Sequence, residues 1–358
     1  MRSGWVAFAK VLLSLTIGAA GGILLSYFHL PLAWMLGAML ATAIAAVTRL
    51  PIAAPARLRP AMKGIVGTML GASLSLELIR GAVGWWLPLT GLLVTSVIGT
   101  VVAYTILRRV ARLDQVTAYF SALPGGLLEM SLIGEEKGGD QKAIALVHTV
   151  RVFSVVMLLP LLLQFFIGYD RSSRDTSGGG LGMIDSNSVA WFLGCLIVGM
   201  AIGRGLRLPS GPMLGPLLLS GGAHLLGLTT FVIPDALIAA AQVVLGVNVG
   251  ARFIGADLRV LARIGATSFL TLIGHLVLAV STAAVVAAVS DYDLVTLVLA
   301  YSPGGLTEMS LIAIALGSNV GFVALHHLAR VLGVLMIGPA LFGTITRRRL
   351  DGPPYSTS

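Results

Sequence analysis

Apolar stretches of roughly 20 residues follow one another along the whole chain, broken only by short polar turns. A hydrocarbon core about 30 Å thick demands about that many apolar residues per helical crossing. The pattern predicts an all-α integral membrane protein. The longest polar interruption is "YDRSSRDTSGGGLGMIDSNS", a Gly/Ser-rich linker at residues 169–188. It divides the chain into a first membrane repeat, 1–168, and a second, 189–346, followed by a cytoplasmic tail, 347–358. The opening segment "MRSGWVAFAKVLLSLTIGAAGG" has the look of a signal peptide. Its counterpart in the second half, residues 189–206, is an ordinary internal span, so the segment is expected to be retained.

The two halves share a motif. "PGGLLEMSLI" begins at Pro124 and "PGGLTEMSLI" at Pro303, identical at nine of ten positions. Asp114, His148, Arg151 and Pro160 recur as Asp293, His327, Arg330 and Pro339, all displaced by 179 residues. Upstream, "LPLAWMLG" at 30 returns as "LPSGPMLG" at 208. Duplications of this kind are a common plan of secondary transporters.

Charge placement predicts how the halves are oriented, because Lys and Arg concentrate on the cytoplasmic side. The alternative of twelve crossings with parallel repeats leaves Arg252, Arg259 and Arg263 on the wrong face. If residues 114–134 and 293–313 instead enter and leave by the same side, each half has five crossings and the halves are inverted. That arrangement puts 19 of the 24 Lys and Arg residues inside, together with both termini. Segment length fits it as well. About ten residues lie on either side of each Pro-Gly-Gly, so each half-helix reaches only about 15 Å, half the bilayer. Pro lacks a donor and Gly tolerates conformations closed to other residues, so each string reads as the tip of a re-entrant hairpin.

Such a tip cannot face lipid, which satisfies no polar backbone. Gly125, Gly126, Gly304 and Gly305 are therefore expected to line a cavity, where the N-terminus of the following half-helix attracts an anion. Glu129 and Glu308 fall near that N-terminus. Each reads as a helix cap, as a carboxylate that carries a coupling ion or proton, or as the partner of a nearby Arg. Arg151 and Arg330 sit within spans, at a cost of about 2.5–3.5 kcal/mol, and need a partner or a cavity. They are expected either to pair with Glu129 and Glu308 or to bind a solute carboxylate. His148 and His327, three residues before each Arg, read as packing residues or a proton relay. Ser131 and Ser310 read as packing or ligand contacts, and Met130 and Met309 as packing. Tyr301 and Ser302 place two hydroxyls beside the second tip, which favours Glu308 over Glu129 as the coupling residue.

Composition narrows the alternatives. The chain is 56% hydrophobic and 11% charged, against about 25% charged for a soluble domain. Its net charge of +9 is expected to set membrane orientation, so the partners are the lipid bilayer and a small anionic solute, with no nucleic acid. A homodimer is compatible with the sequence. The single Cys195 excludes an internal disulfide, and six scattered histidines give no recognisable copper or iron site, so no metal or cofactor is expected.

With the paired PGGLxEMSLI strings and the downstream H-x-x-R, the chain resembles the AbrB-type membrane protein family, whose members consist of a duplicated module. The family has carried the labels transcriptional regulator and ammonia monooxygenase, and this sequence has no helix-turn-helix for the first. The plan is also similar to that of inverted-repeat carriers with paired re-entrant Gly-Gly hairpins, such as citrate and glutamate symporters. That is a likeness of plan, which alone does not fix function; together with the sites above, the sequence reads as a non-enzymatic, multi-pass inner-membrane carrier of a small organic anion, a carboxylate by the chemistry of those sites, coupled to a proton or sodium ion. A membrane-embedded ligand-binding regulator is the first alternative. A membrane oxygenase is the disfavoured second.

Overall fold

A computed structural model describes residues 2–167, 185–231 and 233–350. Most of the 169–188 linker and the end of the 347–358 tail lie outside the described residues. Among those described, the regular structure is helical. The first half contains α1 (Arg2–Ser26), α2 (Ala33–Val47), α3 (Arg59–Ala72), α4 (Leu76–Gly81), α5 (Trp86–Arg109), α6 (Gln115–Ala122), α7 (Leu127–Glu136) and α8 (Gln141–Ile167). The second contains α9 (Ser186–Gly205), α10 (Gly211–Leu225), α11 (Asp235–Gly250), α12 (Leu258–Ala288), α13 (Leu294–Tyr301), α14 (Leu306–Ala315) and α15 (Val320–Leu350).

Seven of these, α1, α5, α8, α9, α11 with the turn that follows it, α12 and α15, are long and apolar enough to cross a membrane. By length and composition this is a helical membrane protein. Three of the ten expected crossings are shorter: α2 and α10 have 15 residues and α3 has 14. At 1.5 Å per residue each rises only about 21–23 Å.

The helices sort into two bundles. In the first, α2 packs on α1 and α11, and α10 packs on α9 and α3. Glycines bring these backbones together: Gly21 faces Gly37 between α1 and α2, and Gly203 faces Gly211 between α9 and α10. Gly67 and Gly71 of α3 sit on the carbonyls of Met213 and Leu217, while Gly246 and Gly250 of α11 sit on those of Met35 and Met39. A side chain at these positions has no room. Both α2 and α10 start from a left-handed residue after a proline, Leu32 (φ 56) and Ser210 (φ 50).

The second bundle is built on α5 crossing α12, with α6, α7 and α8 on one side and α13, α14 and α15 on the other. The short helices α6 and α7 fold back on each other. Thr117, in the first turn of α6, accepts a hydrogen bond from the Asp140 backbone beyond the end of α7 (2.8 Å). In the second half the Thr296 and Ser318 hydroxyls meet in the same place (2.7 Å). Asp114 and Asp293 cap α6 and α13 through the amides of Thr117 and Thr296. The bundles meet where α3 faces α14 and α15, and where α8 faces α2 and α11.

The glycine contacts yield a test. Gly67→Ala and Gly246→Ala should each destabilise by about 1–3 kcal/mol through overpacking. Gly222→Ala, where an added Cβ meets nothing within 4 Å, should be neutral or stabilising. Thermal unfolding of the purified variants measures this, and equal effects at all three positions would reject the packing assignment.

Candidate functional site

Each repeated string forms a compact tip. In the first, α6 ends at Ala122, the chain leaves the helix at Leu123 (φ −59, ψ 133), and α7 restarts after Gly126. The glycines were expected to supply a backbone conformation closed to other residues. They do not: Gly126 has φ −66 and Gly305 φ −78, open to any residue. Their surroundings are close instead. Met130 packs over Gly125 and Met309 over Gly304, while the carboxylates of Glu129 and Glu308 fold back against Gly126 and Gly305. Ser131 and Ser310 turn inward to bond the carbonyls of Leu127 and Leu306 in their own helices (both 2.7 Å). Gly, Glu, Met and Ser of the string thus have separate steric or hydrogen-bonding places.

The H-x-x-R pairs explain how a broken helix is tolerated. His148 Nε2 bonds to the carbonyl of Phe120 (3.0 Å), and the Arg151 guanidinium donates to those of Ser121 (3.3 Å) and Leu123 (3.1 Å). His327 Nε2 bonds to Leu299 (2.9 Å), and Arg330 donates to Ser302 and Gly304 (both 2.6 Å). In each pair the Arg also contacts the His Nδ1, at 2.7 and 2.8 Å. An Nε2–H tautomer fits both contacts, donating to the carbonyl and accepting from the guanidinium. Last-turn carbonyls of a helix have no partner within it. Here the His–Arg pair, one turn apart on the next long helix, satisfies them.

Arg151 and Arg330 therefore do not form the expected ion pairs with Glu129 and Glu308; their Nη donors go to backbone. Their Nε atoms are buried without a partner among the described residues. The two arginines differ in reach. Arg151 holds the end of α6, whereas Arg330 extends to Gly304 inside the tip. Tyr301 and Ser302 do not offer free hydroxyls to the second tip either, since they donate to the carbonyls of Pro88 (2.9 Å) and Val298 (2.6 Å).

Both tips line one cavity of about 480 Å³ between the bundles. From the second bundle come Gly125, Gly126, Glu129, His148 and Arg151, with Gly304, Gly305, Glu308 and Arg330. Ser131, Ser310 and His327 are not among the lining residues. The opposite wall belongs to the first bundle and was missed as a site in the sequence. It carries Arg59 and Lys63 at the start of α3, Ser210 at the start of α10, and Arg252 just after α11. Lys63 donates to the Ser210 hydroxyl (3.2 Å) and interacts electrostatically with Glu308 and Glu129. Arg252 also interacts with Glu308. The sequence counted these cations only as loop charges that set orientation. A signal did exist in the repeat: each of these charges, two in the first half and one in the second, has a neutral residue at the matching position of the other half.

Comparison with known proteins agrees with the motif. Residues 34–346 match the model of the AbrB family, described as "Transition state regulatory protein AbrB". The chain is 26% identical over 362 residues to "Uncharacterized protein YhjN" of Bacillus subtilis (strain 168), covering 93% of this chain and 92% of that one. It is 27% identical over 317 residues to "Putative regulator AbrB" of Escherichia coli (strain K12), covering 87% and 90%. With a family match over most of its length, and both PGGLxEMSLI strings inside the matched region, the chain belongs to the AbrB family.

Proposed function

We propose that this chain is a multi-pass secondary carrier of the inner (plasma) membrane, moving a small organic anion with a proton or sodium ion. One observation carries the reading: two separately packed bundles contribute opposite walls of one charged cavity. A solute bound between them changes sides if one bundle shifts against the other, which is the alternating-access scheme of repeat-built carriers. The first half-helix pair folds back on itself, and the second does the same, in support of re-entrant hairpins over broken crossings. The interlocked pairs, α3 with α10 and α11 with α2, support halves related by inversion. Under that topology both termini are cytoplasmic.

In this scheme the free amides at the starts of α7 and α14 receive the anion, at the positive ends of the two helices. Glu308 is the coupling carboxylate. The reason differs from the one drawn from neighbouring hydroxyls: Glu308 faces both Lys63 and Arg252, so its charge governs how much of theirs is left for a solute. Arg151, Arg330, His148 and His327 keep the tips in shape. The carrier takes no cofactor and performs no covalent chemistry.

A second reading has an observation of its own, the regulatory descriptions attached to the family and to the relative from Escherichia coli. A membrane-embedded sensor would bind the same anion in the same cavity without passing it on.

Two tests follow. Glu308→Gln should abolish gradient-driven uptake in proteoliposomes and leave passive exchange, whereas Glu129→Gln should keep most of the uptake; wild-type uptake by the Glu308 variant rejects the coupling role. For topology, single cysteines at Lys137 and within 169–188, in a Cys195→Ser background, should react with impermeant reagents from opposite sides. Labelling of both from one side sinks the inverted arrangement.

A further inference from the structure

The cations of the first bundle are not needed for its packing. Gly67 and Gly71 place α3 on α10 as Gly246 and Gly250 place α11 on α2, so the two helix pairs match position by position. In that register Arg59 corresponds to Ile238, Lys63 to Gln242 and Arg252 to Ser73. The same interhelical contacts form with or without charge at each of these positions, since Arg59 and Lys63 on α3 match neutral residues on α11, and Arg252 after α11 matches a neutral residue after α3. Those three line the cavity. Nη1 of Arg252 is buried with no hydrogen-bond partner among the described residues, and Lys63 spends one donor on Ser210. Desolvated cationic donors left unfilled at a cavity wall are poised for an anion.

Charge balance sets the class of solute. Arg59, Lys63, Arg151, Arg252 and Arg330 face only Glu129 and Glu308 around the cavity. The partial charges at the starts of α7 and α14 are opposed by those at the ends of α6 and α13, each about half a charge. The surplus is thus about three positive charges. A single carboxylate leaves most of it uncompensated.

We propose that Arg59, Lys63 and Arg252 form a subsite for one carboxylate of a di- or tricarboxylate, whose other end sits at the hairpin tips. The proposal rests on the carrier reading only in taking the bound anion as cargo. Protein in nanodiscs, titrated with acetate, succinate and citrate and followed by thermal unfolding, tests it. Succinate and citrate should stabilise the wild type at concentrations at least tenfold below acetate. Lys63→Gln and Arg252→Ser should each weaken citrate at least tenfold, about the loss of one charged hydrogen bond, with unliganded unfolding unchanged. Lys63→Arg should stay within about threefold. In wild-type protein, citrate should also slow chemical acetylation of Lys63 and leave the exposed Lys137 unaffected. No stabilisation by any of the three anions, acetate binding as tightly as citrate, or Lys63 acetylated at one rate throughout would overturn the subsite. Citrate binding with these variant effects but no uptake would remove the carrier reading and keep the subsite. Uptake unchanged in both variants would do the reverse.

Discussion

A helix interrupted inside an apolar medium leaves carbonyls that lipid cannot bond, at several kcal/mol each. The arrangement around the cavity depends on meeting that constraint twice. His148 and Arg151, then His327 and Arg330, bring imidazole and guanidinium donors to the ends of α6 and α13. Because these carbonyls are held, the following helices can begin afresh beside the cavity that the tips line. An intramembrane Arg that looks like a ligand is therefore first a structural donor. Its cost of insertion is offset by the backbone it satisfies.

From this clamp the division of labour follows. The second bundle contributes shaped backbone, with two tips and two carboxylates. The first contributes fixed side-chain charge on a frame whose helices approach as closely as glycine allows. Close backbone packing leaves that frame few ways to deform, since well-packed interfaces are bistable rather than elastic. Movement between the bundles, rather than within the first, is the simpler way for such a molecule to change its accessible side.

Much of this was legible in the sequence for a plain reason: identity at nine of ten positions in the PGGLxEMSLI strings reflects a steric unit in which each side chain has one place to go. That the strings break helices could be read from Pro-Gly-Gly. How they do so could not, because Gly126 and Gly305 keep ordinary backbone angles and what lies against them depends on where Glu129 and Glu308 fold. Partners of Arg151 and Arg330 were misread since a sequence offers carboxylates as visible counter-charges, whereas backbone carbonyls are everywhere and unmarked. Arg59, Lys63 and Arg252 escaped because a charge beside a span looks the same whether it faces lipid headgroups or a cavity.

On the proposed carrier reading, the cavity between the bundles passes an anion across the membrane rather than merely holding one. Charge movement in proteoliposomes adsorbed to a solid-supported electrode measures this directly, with citrate concentration jumps at opposed proton and sodium gradients. The account expects sustained currents that reverse with the driving gradient and vanish when Lys63 and Arg252 are both neutralised. Citrate binding with no sustained current under any gradient would contradict it and leave a sensor in its place.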